Sequence, residues 1–256
     1  MLLAIDVGNT DTKLGYFDRT GTLVGNWRVT TARRRTSDEY GVLFSAFFSA
    51  SKFALEHVEA IIVSSVVPQV DRALIEGCKK YFEREPLLFS PAQQKLLSVR
   101  TDRPTELGAD LVAGAIGGVS LVGSPVIVIS FGTATVYSAV DATGAYLGAA
   151  IAPGIQISID ALASRTAKLP QVALFAPPSA VGRDTVTALQ SGIVFGAVGA
   201  TEGIVTRMRA QIGKEAKVVA TGGLADVVAD ETGVIDIVEP NLNLLGLRLY
   251  YESIRA

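Results

Sequence analysis

The pattern of apolar and polar positions divides the chain into short strands that alternate with helices. Apolar or alternating stretches predict strands at residues 2–5, 12–17, 23–29, 60–67, 86–89, 126–129, 136–140, 146–152, 217–220 and 234–238. Apolar positions at helical spacing predict helices at residues 37–56, 70–82, 104–122, 155–168, 184–212 and 242–254. Such alternation is typical of an α/β fold.

One charge-free stretch, residues 111–140, is long enough to span a bilayer. It contains Pro125 and several glycines, and its hydrophobic period changes near Ser124. A buried helix followed by a buried strand is therefore the expected structure. The first residues show neither the basic region nor the cleavage site of a signal peptide, so we expect no membrane partner.

A polar turn that can bind an anion follows the first strand. Gly8 and Asn9 lie between two strand-like runs and both tolerate positive φ, which favours a hairpin. Tight turns of small residues expose backbone N–H groups to anions, and Asp6 at the strand end is suited to a cation. The side chains suited to phosphate oxygens are those of Thr10, Thr12 and Lys13. An ordinary hairpin with a polar turn is the alternative.

The opening pattern is repeated near half the chain length. Residues 3–10 resemble residues 127–133, and with one residue deleted from the second copy Asp18 aligns with Asp141. A repeat of this long period indicates two duplicated domains, because solenoid repeats are short. We predict an N-terminal lobe at residues 1–118 and a C-terminal lobe at residues 119–256, with their two turns facing one polyphosphate. Chance similarity between two short apolar runs is the alternative.

A third glycine-containing turn, Thr221-Gly222-Gly223, follows the strand at residues 217–220. Two glycines at a strand end allow a ligand to approach the backbone closely. Ligands of open α/β sheets bind beyond the carboxyl ends of the strands. The turn therefore supports a nucleotide site, and the alternative is a simple connection from strand to helix.

The composition limits the possible partners. The 256 residues are 49% hydrophobic and 19% charged, which is typical of a folded protein large enough for two lobes. The net charge of −2 provides no broad basic surface, so we expect no nucleic acid partner. The chain has one cysteine, Cys78, so it can form no internal disulfide, which favours a reducing compartment, the cytoplasm. Its one histidine, His57, has no second histidine or nearby cysteine with which to form a metal site.

Together these motifs resemble the ATP-binding superfamily of acetate kinase, sugar kinases, heat-shock chaperones and actin, and within it the type III pantothenate kinase family. Residues 6–10 resemble the first phosphate motif, residues 130–134 the second, and residues 221–225 the adenosine motif. Further family elements match residues 108–111, 153–154 and 182–185. The resemblance runs along the whole chain and implies a duplicated actin/ribonuclease H-like α/β fold with a nucleotide cleft between two lobes.

The resemblance implies ATP-dependent phosphorylation of pantothenate, the first step of coenzyme A biosynthesis. The implied ATP-binding residues are Asp6, Val7, Gly8, Asn9, Thr10, Asp11, Thr12, Lys13, Thr133, Gly222 and Gly223. The implied pantothenate-binding residues are Thr101, Gly108, Ala109, Asp110, Leu111 and Thr185.

The resemblance also assigns the chemistry. Asp110 would be the catalytic base that takes the proton from the substrate hydroxyl, although an acid early in a helix is also favoured by the helix dipole alone. Mg²⁺ would accompany ATP, held partly through Asp6 and waters. A monovalent cation, K⁺ or NH₄⁺, would bind at Ser130.

Three positions depart from the family pattern. Leu111 stands where the family usually has arginine, Ser130 where it has the aspartate that binds the monovalent cation, and Thr101 where a tyrosine often contacts the substrate. A leucine cannot replace the bidentate contact between a guanidinium and a carboxylate, and a serine hydroxyl supplies no charge. The departures therefore concern the acceptor and the cation, whereas the ATP-binding residues are retained.

Three functions stay open on this basis. The first is a pantothenate kinase with an altered acceptor pocket. The second is an ATP-binding regulatory or accessory factor without turnover. Leu111 and Ser130 favour it, and it is disfavoured by the retained Asp6, Lys13, Asp110 and Thr185. The third is a kinase of a less anionic alcohol. The resemblance also implies a homodimer, whose contact faces would be the apolar helix from Leu111 and the long helix after Asp184.

Overall fold

The computed structural model describes residues 1–165, 170 and 172–255, which form two compact units. Unit 1 contains Met1–Leu96, Arg103–Gly117 and the segment from Asn241 onward, and unit 2 contains Leu97–Asp102 and Gly118–Pro240. The units differ from the predicted halves mainly at residues 97–102 and from Asn241 onward, because each of these segments packs on the sheet of the other half. Residues 97–102 supply a short strand to the sheet of unit 2, and the last helix buries its apolar face on the sheet of unit 1.

The described residues contain eleven strands and seven helices. The strands are β1 (Leu2–Val7), β2 (Asp11–Phe17), β3 (Leu23–Thr30), β4 (Ala60–Ser65), β5 (Leu87–Leu88), β6 (Ser98–Val99), β7 (Val126–Phe131), β8 (Ala134–Val140), β9 (Ala145–Pro153), β10 (Lys217–Thr221) and β11 (Ile237–Val238). The helices are α1 (Ser37–Ala50), α2 (Pro68–Phe82), α3 (Ala109–Val122), α4 (Ile155–Arg165), α5 (Thr185–Ile212), α6 (Ala225–Ala229) and α7 (Leu242–Ser253).

The sheet of unit 1 has the strand order β3-β2-β1-β4-β5. Strands β1 to β3 form an antiparallel meander, and β4 runs parallel to β1. The core joins Leu3 and Ile5 of β1 to Tyr40, Phe44 and Phe48 of α1. Because successive residues of a strand point to opposite faces, Asp6 lies on the other face of β1, where α7 packs.

The sheet of unit 2 repeats this arrangement in the order β11-β10-β7-β8-β9-β6. Strands β7 to β9 form the antiparallel meander, and β10 runs parallel to β7 as β4 does to β1. Ile127 and Ile129 of β7 are buried in one cluster with Val198 and Val205 of α5.

The loops after the second strand of each meander confirm the predicted duplication. Asp18 Oδ1 accepts hydrogen bonds from the backbone N–H groups two and four residues later, at 2.8 and 2.9 Å. Asp141 Oδ1 accepts the equivalent two bonds at 2.8 and 3.0 Å. Each loop has a glycine at positive φ three residues after the aspartate, with φ of 82° at Gly21 and 77° at Gly144. The predicted alignment of Asp18 with Asp141 is therefore correct.

Two predicted helices are shorter than expected. Helix α1 ends at Ala50, because Lys52 adopts a left-handed φ of 59° and the Phe53 N–H donates to the Phe48 carbonyl at 2.8 Å. The predicted helix at 104–122 begins with a separate 3-10 turn, Pro104–Glu106, and the extended backbone at Leu107 delays the start of α3 to Ala109.

The charge-free residues 111–140 form parts of α3, β7 and β8, as predicted. Within the described ranges, α5 alone is long and apolar enough to cross a membrane by length and composition, and 33% of its most apolar window is buried. The predicted last residues of α4, 166–168, lie outside the described residues.

Candidate functional site

The polar loop after β1 is a two-residue turn that is open to solvent. The Gly8 N–H donates to the Asp11 carbonyl at 3.0 Å, and Asn9 and Thr10 between them are exposed. The predicted hairpin between β1 and β2 is present, and it forms without positive φ at Gly8 or Asn9, since neither is among the described residues with positive φ. Backbone hydrogen bonds fix the turn instead, because the Thr31 N–H also donates to the Thr10 carbonyl at 2.8 Å.

Asp6 is a buried carboxylate at the end of β1, only 7% exposed. Asn243 of α7 donates its side-chain N–H to Asp6 Oδ2 at 2.9 Å, while Asp6 Oδ1 is buried without a partner. Burial, more than any other cause, raises the pKa of Asp6 to about 6. The hydrogen bond from Asn243, the charge of Lys13 and the Ser64 side chain oppose this shift, and the charge of Asp110 adds to it. The structure therefore brings Asp6, Lys13 and Asp110 together within unit 1.

The sheet sets the immediate neighbours of Asp6. Lys13 of β2 lies opposite Asp6 in the antiparallel pair, and Ser64 of β4 lies opposite it in the parallel pair. The Ser64 hydroxyl is buried and lies near Asp6, where it lowers the pKa of the carboxyl group, but its geometry does not meet that of a hydrogen bond. Two buried polar atoms, Asp6 Oδ1 and Ser64 Oγ, are thus left unsatisfied at this point, which is unusual in a folded protein and calls for a ligand or an ordered water.

Asp110 lies half-buried in the first turn of α3. Its Oδ1 accepts a hydrogen bond from the Leu111 N–H at 2.9 Å. Burial raises the pKa of Asp110, and the backbone hydrogen bonds oppose that shift. A Cβ on Gly108 would lie 2.6 Å from Asp110 Oδ1, so glycine at this position leaves room for the folded-back carboxylate.

Other predicted ATP-binding residues of the loop have structural side chains. Val7 is part of the core of unit 1. The Thr12 side chain is fully buried and its hydroxyl shares a hydrogen bond of 2.9 Å with the Thr31 hydroxyl. Asp11 forms an ion pair with Arg28 of β3 at 3.6 Å. These contacts hold the hairpin in place and leave Asn9 and Thr10 of the turn, and Lys13 of β2, as the residues that can contact a ligand.

Three glycine-containing turns of unit 2 meet at one place. They follow β7, β9 and β10. A Cβ on Gly154 would lie 2.2 Å from the Thr133 carbonyl oxygen, and a Cβ on Gly222 would lie 2.3 Å from the Phe131 carbonyl oxygen. Gly222 also has a φ of 104°, which favours glycine. The exposed residues of these turns are Gly132, Thr133 and Gly223.

The remaining predicted acceptor and cation residues also lie in unit 2. Ser130 is half-buried near the end of β7. The Thr101 hydroxyl is buried without a hydrogen-bond partner. Thr185 is exposed at the start of α5, directly after Asp184, whose carboxylate accepts a hydrogen bond from the Thr187 N–H at 2.9 Å and caps the helix. The predicted pantothenate set is thus divided between the two units.

The Asp6 environment fits a magnesium ion that keeps most of its water. Mg²⁺ in phosphate sites is bound through one or two carboxylates plus substrate phosphates, and Asp6 Oδ1 is a buried carboxylate oxygen without a partner. In the described part of the chain, no three His, Cys, Asp or Glu side chains form a group that could hold an ion by themselves.

Sequence reasoning missed Asn243. Its only local signal is a polar position at the start of an otherwise apolar helix, which also fits a capping residue. The partner, Asp6, is 237 positions away in the chain, so no local pattern relates the two residues.

Solved structures share the fold over nearly the whole chain. A Campylobacter jejuni protein assigned to the Baf family of transcriptional activators has a TM-score of 0.61 at 17% identity, covering 99% of this chain and 98% of its own. A Sinorhizobium meliloti protein assigned as a 2-dehydro-3-deoxygalactonokinase has a TM-score of 0.62 at 12% identity, covering 99% and 97%. A ROK family glucokinase from Streptomyces griseus, solved with glucose and AMPPNP, has a TM-score of 0.52 at 12% identity, covering 98% and 99%.

These likenesses show the fold, which is the duplicated α/β fold of actin-like and sugar kinases. The sequence itself shows to which family the chain belongs. A family model described as type III pantothenate kinase matches residues 2–207, which is most of the chain and includes the polar loop at Asp6 and the start of α3 at Asp110. The chain therefore belongs to the type III pantothenate kinase family.

Proposed function

We propose that this chain transfers the γ-phosphoryl group of ATP to the hydroxyl group of pantothenate. Besides the family match, the observation that supports this most is the grouping of Asp6, Lys13 and Asp110 in unit 1. Phosphoryl transfer needs a held cation, neutralised phosphate charge and an oriented nucleophile. These three side chains supply one requirement each.

Asp110 acts on the acceptor. It accepts the hydroxyl proton while the acceptor oxygen bonds to the γ-phosphorus and the bond from that phosphorus to the bridging oxygen breaks to release ADP. Because burial raises the pKa of Asp110, its carboxylate is a stronger base than an exposed one. The hydrogen bond from the Leu111 N–H holds Oδ1 in place, so Oδ2 is the atom assigned to the proton.

The other residues bind ATP. Lys13 and the exposed turn at Asn9 and Thr10 contact phosphate oxygens. Mg²⁺ bound with ATP neutralises phosphate charge, and Asp6 Oδ1 is the atom that would hold one of its waters. Thr133, Gly222 and Gly223 of unit 2 supply the further nucleotide contacts.

A coupled ADP-release assay with pantothenate tests this function. We expect turnover with the wild-type chain, and a loss of about 10²–10⁴-fold for Asp110→Asn, because general base catalysis is worth that much. Glu106→Gln, which changes an exposed carboxylate just before α3, is the matched control and should keep full activity. ATP binding without turnover of pantothenate under any cation would contradict the proposal and favour a regulatory or accessory role.

The same assay addresses the monovalent cation. We propose that K⁺ or NH₄⁺ binds near Ser130, which offers a neutral hydroxyl in place of a carboxylate. A hydroxyl attracts a cation less strongly than a carboxylate does, so stimulation should need a high salt concentration. Equal rates in K⁺, NH₄⁺ and a large organic cation would contradict this site.

A second candidate function, phosphorylation of a less anionic alcohol, is favoured by Leu111. This residue follows Asp110 at the start of α3, where a guanidinium would pair with the pantothenate carboxylate. Leu111→Arg distinguishes the candidates. A gain of about tenfold or more in kcat/KM for pantothenate would indicate that the native acceptor is a different alcohol, and an unchanged or lower value would support pantothenate.

We also propose that two copies associate through α5. This helix exposes Gly192, Gly196 and Gly199, and a Cβ on any of them would have no atom within 4 Å. The helix borders a cavity of about 510 Å³ that β8, β9 and α4 also line. Leu162 of α4, which lines this cavity, is 42% exposed. Exposed apolar surface of this kind marks an interaction site, and small residues allow two helices to approach closely.

The proposed location is the cytoplasm. Cys78 is a free, buried thiol, and burial raises its pKa to about 12. A protonated buried thiol is inert to disulfide exchange, so the residue is compatible with a reducing compartment and needs no partner cysteine.

A further inference from the structure

We infer that Asn243 is a positioning residue that orients the Asp6 carboxylate toward the metal–nucleotide complex. The inference rests on the proposed function for the identity of that ligand. Its geometric basis is the asymmetry of the carboxylate: the Asn243 amide donates to Oδ2 at 2.9 Å, whereas Oδ1 is buried and makes no hydrogen bond. One oxygen is fixed by the protein and the other is left open.

This asymmetry distinguishes the hydrogen bond between Asn243 and Asp6 from one that only stabilises the fold. Buried carboxylates that serve only the fold have their oxygens satisfied by protein donors or water, because an unpartnered buried acceptor weakens the fold. Here the neighbouring Ser64 hydroxyl lies near enough to lower the pKa of Asp6, but neither it nor Asp6 Oδ1 meets hydrogen-bond geometry with a protein group. The free oxygen of the anchored carboxylate and the hydroxyl beside it form an arrangement that a polar ligand completes.

Tight helix packing fixes the position of Asn243. A Cβ on Gly246 of α7 would lie 1.9 Å from the Ala113 carbonyl oxygen of α3, and a Cβ on Gly117 of α3 would lie 2.4 Å from the Leu242 carbonyl oxygen of α7. The backbones of the two helices are therefore in direct contact on both sides of Asn243. Since α3 also carries Asp110, one packed crossing sets the positions of Asn243 and Asp110 relative to Asp6.

An anchored carboxylate binds better because its orientation is set before the ligand arrives. Without the amide, no hydrogen bond from α7 fixes the orientation of the Asp6 carboxylate about χ2, so its two oxygens can exchange positions. Hydrogen-bond partners behind a direct ligand to a metal ion are typically worth about 10–100-fold in metal affinity, and a carboxylate that holds the ion through a water belongs at the lower end of this range. Loss of Asn243 should therefore reduce binding of the metal–nucleotide complex by about tenfold and leave acceptor binding unaffected.

The test measures binding of Mn²⁺ in the presence of ADP by electron paramagnetic resonance, which needs neither pantothenate nor turnover. Asn243→Leu has a similar volume and no donor, and we expect about tenfold weaker Mn²⁺ binding. Asn243→Gln retains an amide donor and should recover much of that loss. Asn241→Ala is the matched control, because Asn241 directly precedes α7 and its side-chain oxygen accepts from the Asn26 amide at 3.4 Å. We expect no change for that variant.

Several outcomes would overturn the inference. A folded Asn243→Leu protein that binds Mn²⁺ and ADP as tightly as the wild type would do so, as would an equal loss in Asn241→Ala. If Asn243→Leu fails to fold, Asn243→Ala, which admits water beside Asp6, decides by the same measurement. Absence of pantothenate turnover would contradict the proposed function and not the role of Asn243, because binding of Mn²⁺ and ADP is measured independently.

Discussion

Asp6 shows how a single residue of the proposed site weakens the fold in which it lies. Its carboxylate is buried, has one hydrogen-bonded oxygen and lies near the negative charge of Asp110. Burial and like charge both oppose ionisation, and the ionised form is the one that holds a cation. A residue kept at such a position is a candidate for function for a physical reason.

Replacing Asp6 with asparagine should stabilise the protein at neutral pH. The pKa of Asp6 is about 6 in the folded chain, against 3.8 for an ordinary aspartate. The folded state therefore keeps a proton that the unfolded state has released, and stability falls as the pH rises from about 4 to about 6. Asp6→Asn removes this loss, so its gain in unfolding free energy should approach about 3 kcal/mol at pH 8.

The measurement is chemical unfolding of both proteins without nucleotide or metal across the pH range. The difference should vanish near pH 4, where the wild-type carboxyl group is protonated as well. A gain of the same size at pH 4 and pH 8 would show that ionisation is not its source. Activity should be lost in Asp6→Asn at every pH, because the amide cannot hold the water of a cation as a carboxylate does.

At the scale of secondary structure elements, the contact between α3 and α7 decides the geometry of the site. Helix α7 buries Leu242, Leu244 and Leu247 in unit 1, and glycine brings its backbone against α3. The first turn of α3 carries Asp110, and the first turn of α7 carries Asn243. Two helices far apart in sequence are thus fixed to the same end of β1.

Adding one methyl group at this crossing should destabilise the protein. In Gly246→Ala the new Cβ would lie 1.9 Å from the Ala113 carbonyl oxygen, so the helices must move apart. The expected loss is about 1–3 kcal/mol of unfolding free energy, as for other overpacked sites, despite the better helix propensity of alanine. Gly233→Ala, at a glycine with open space around it, is the control and should be close to neutral. Equal effects would contradict the packing argument.

At the scale of the whole molecule, two copies of one supersecondary pattern have diverged. The loops at Asp18 and Asp141 are still the same structure, whereas Asp6 of the first copy corresponds to Ser130 of the second. The first copy carries the carboxylates of the proposed chemistry, and the second supplies glycine turns and the apolar α5. The two copies of the pattern therefore differ in the side chains that they offer to a ligand.

The exposed face of α5 predicts self-association. Gly196→Arg should convert a dimer to a monomer. In the isolated chain a Cβ at residue 196 has no atom within 4 Å, so the arginine side chain fits there. In the proposed dimer the same side chain would occupy the space of the second copy. Gly233→Arg is the matched control and should leave the dimer intact. Light scattering after size-exclusion chromatography gives the molar mass of each. A wild-type monomer at micromolar concentration, or a dimeric Gly196→Arg protein, would contradict the proposed interface.

Local patterns determined most of the elements. Apolar runs and alternation located the strands of both meanders, and the similarity of residues 3–10 to residues 127–133 revealed the duplication. Helix ends were less predictable, because the left-handed Lys52 that ends α1 is stabilised by a hydrogen bond between Phe53 and Phe48 that no propensity encodes. The predicted boundary at residue 118 put α7 in the C-terminal lobe, whereas the structure places it in unit 1, because the helix packs there.

The sequence by itself determined the motifs, their order and the family, because those depend on residue types at short spacing. The tertiary structure decided which of these residues meet. Thr12 carries a hydroxyl suited to phosphate, yet its side chain is buried against Thr31, and Asn243 carries no motif, yet it holds Asp6. The physical reason is that burial and contact between distant segments are properties of the packed chain, and a linear pattern records only what each residue could do.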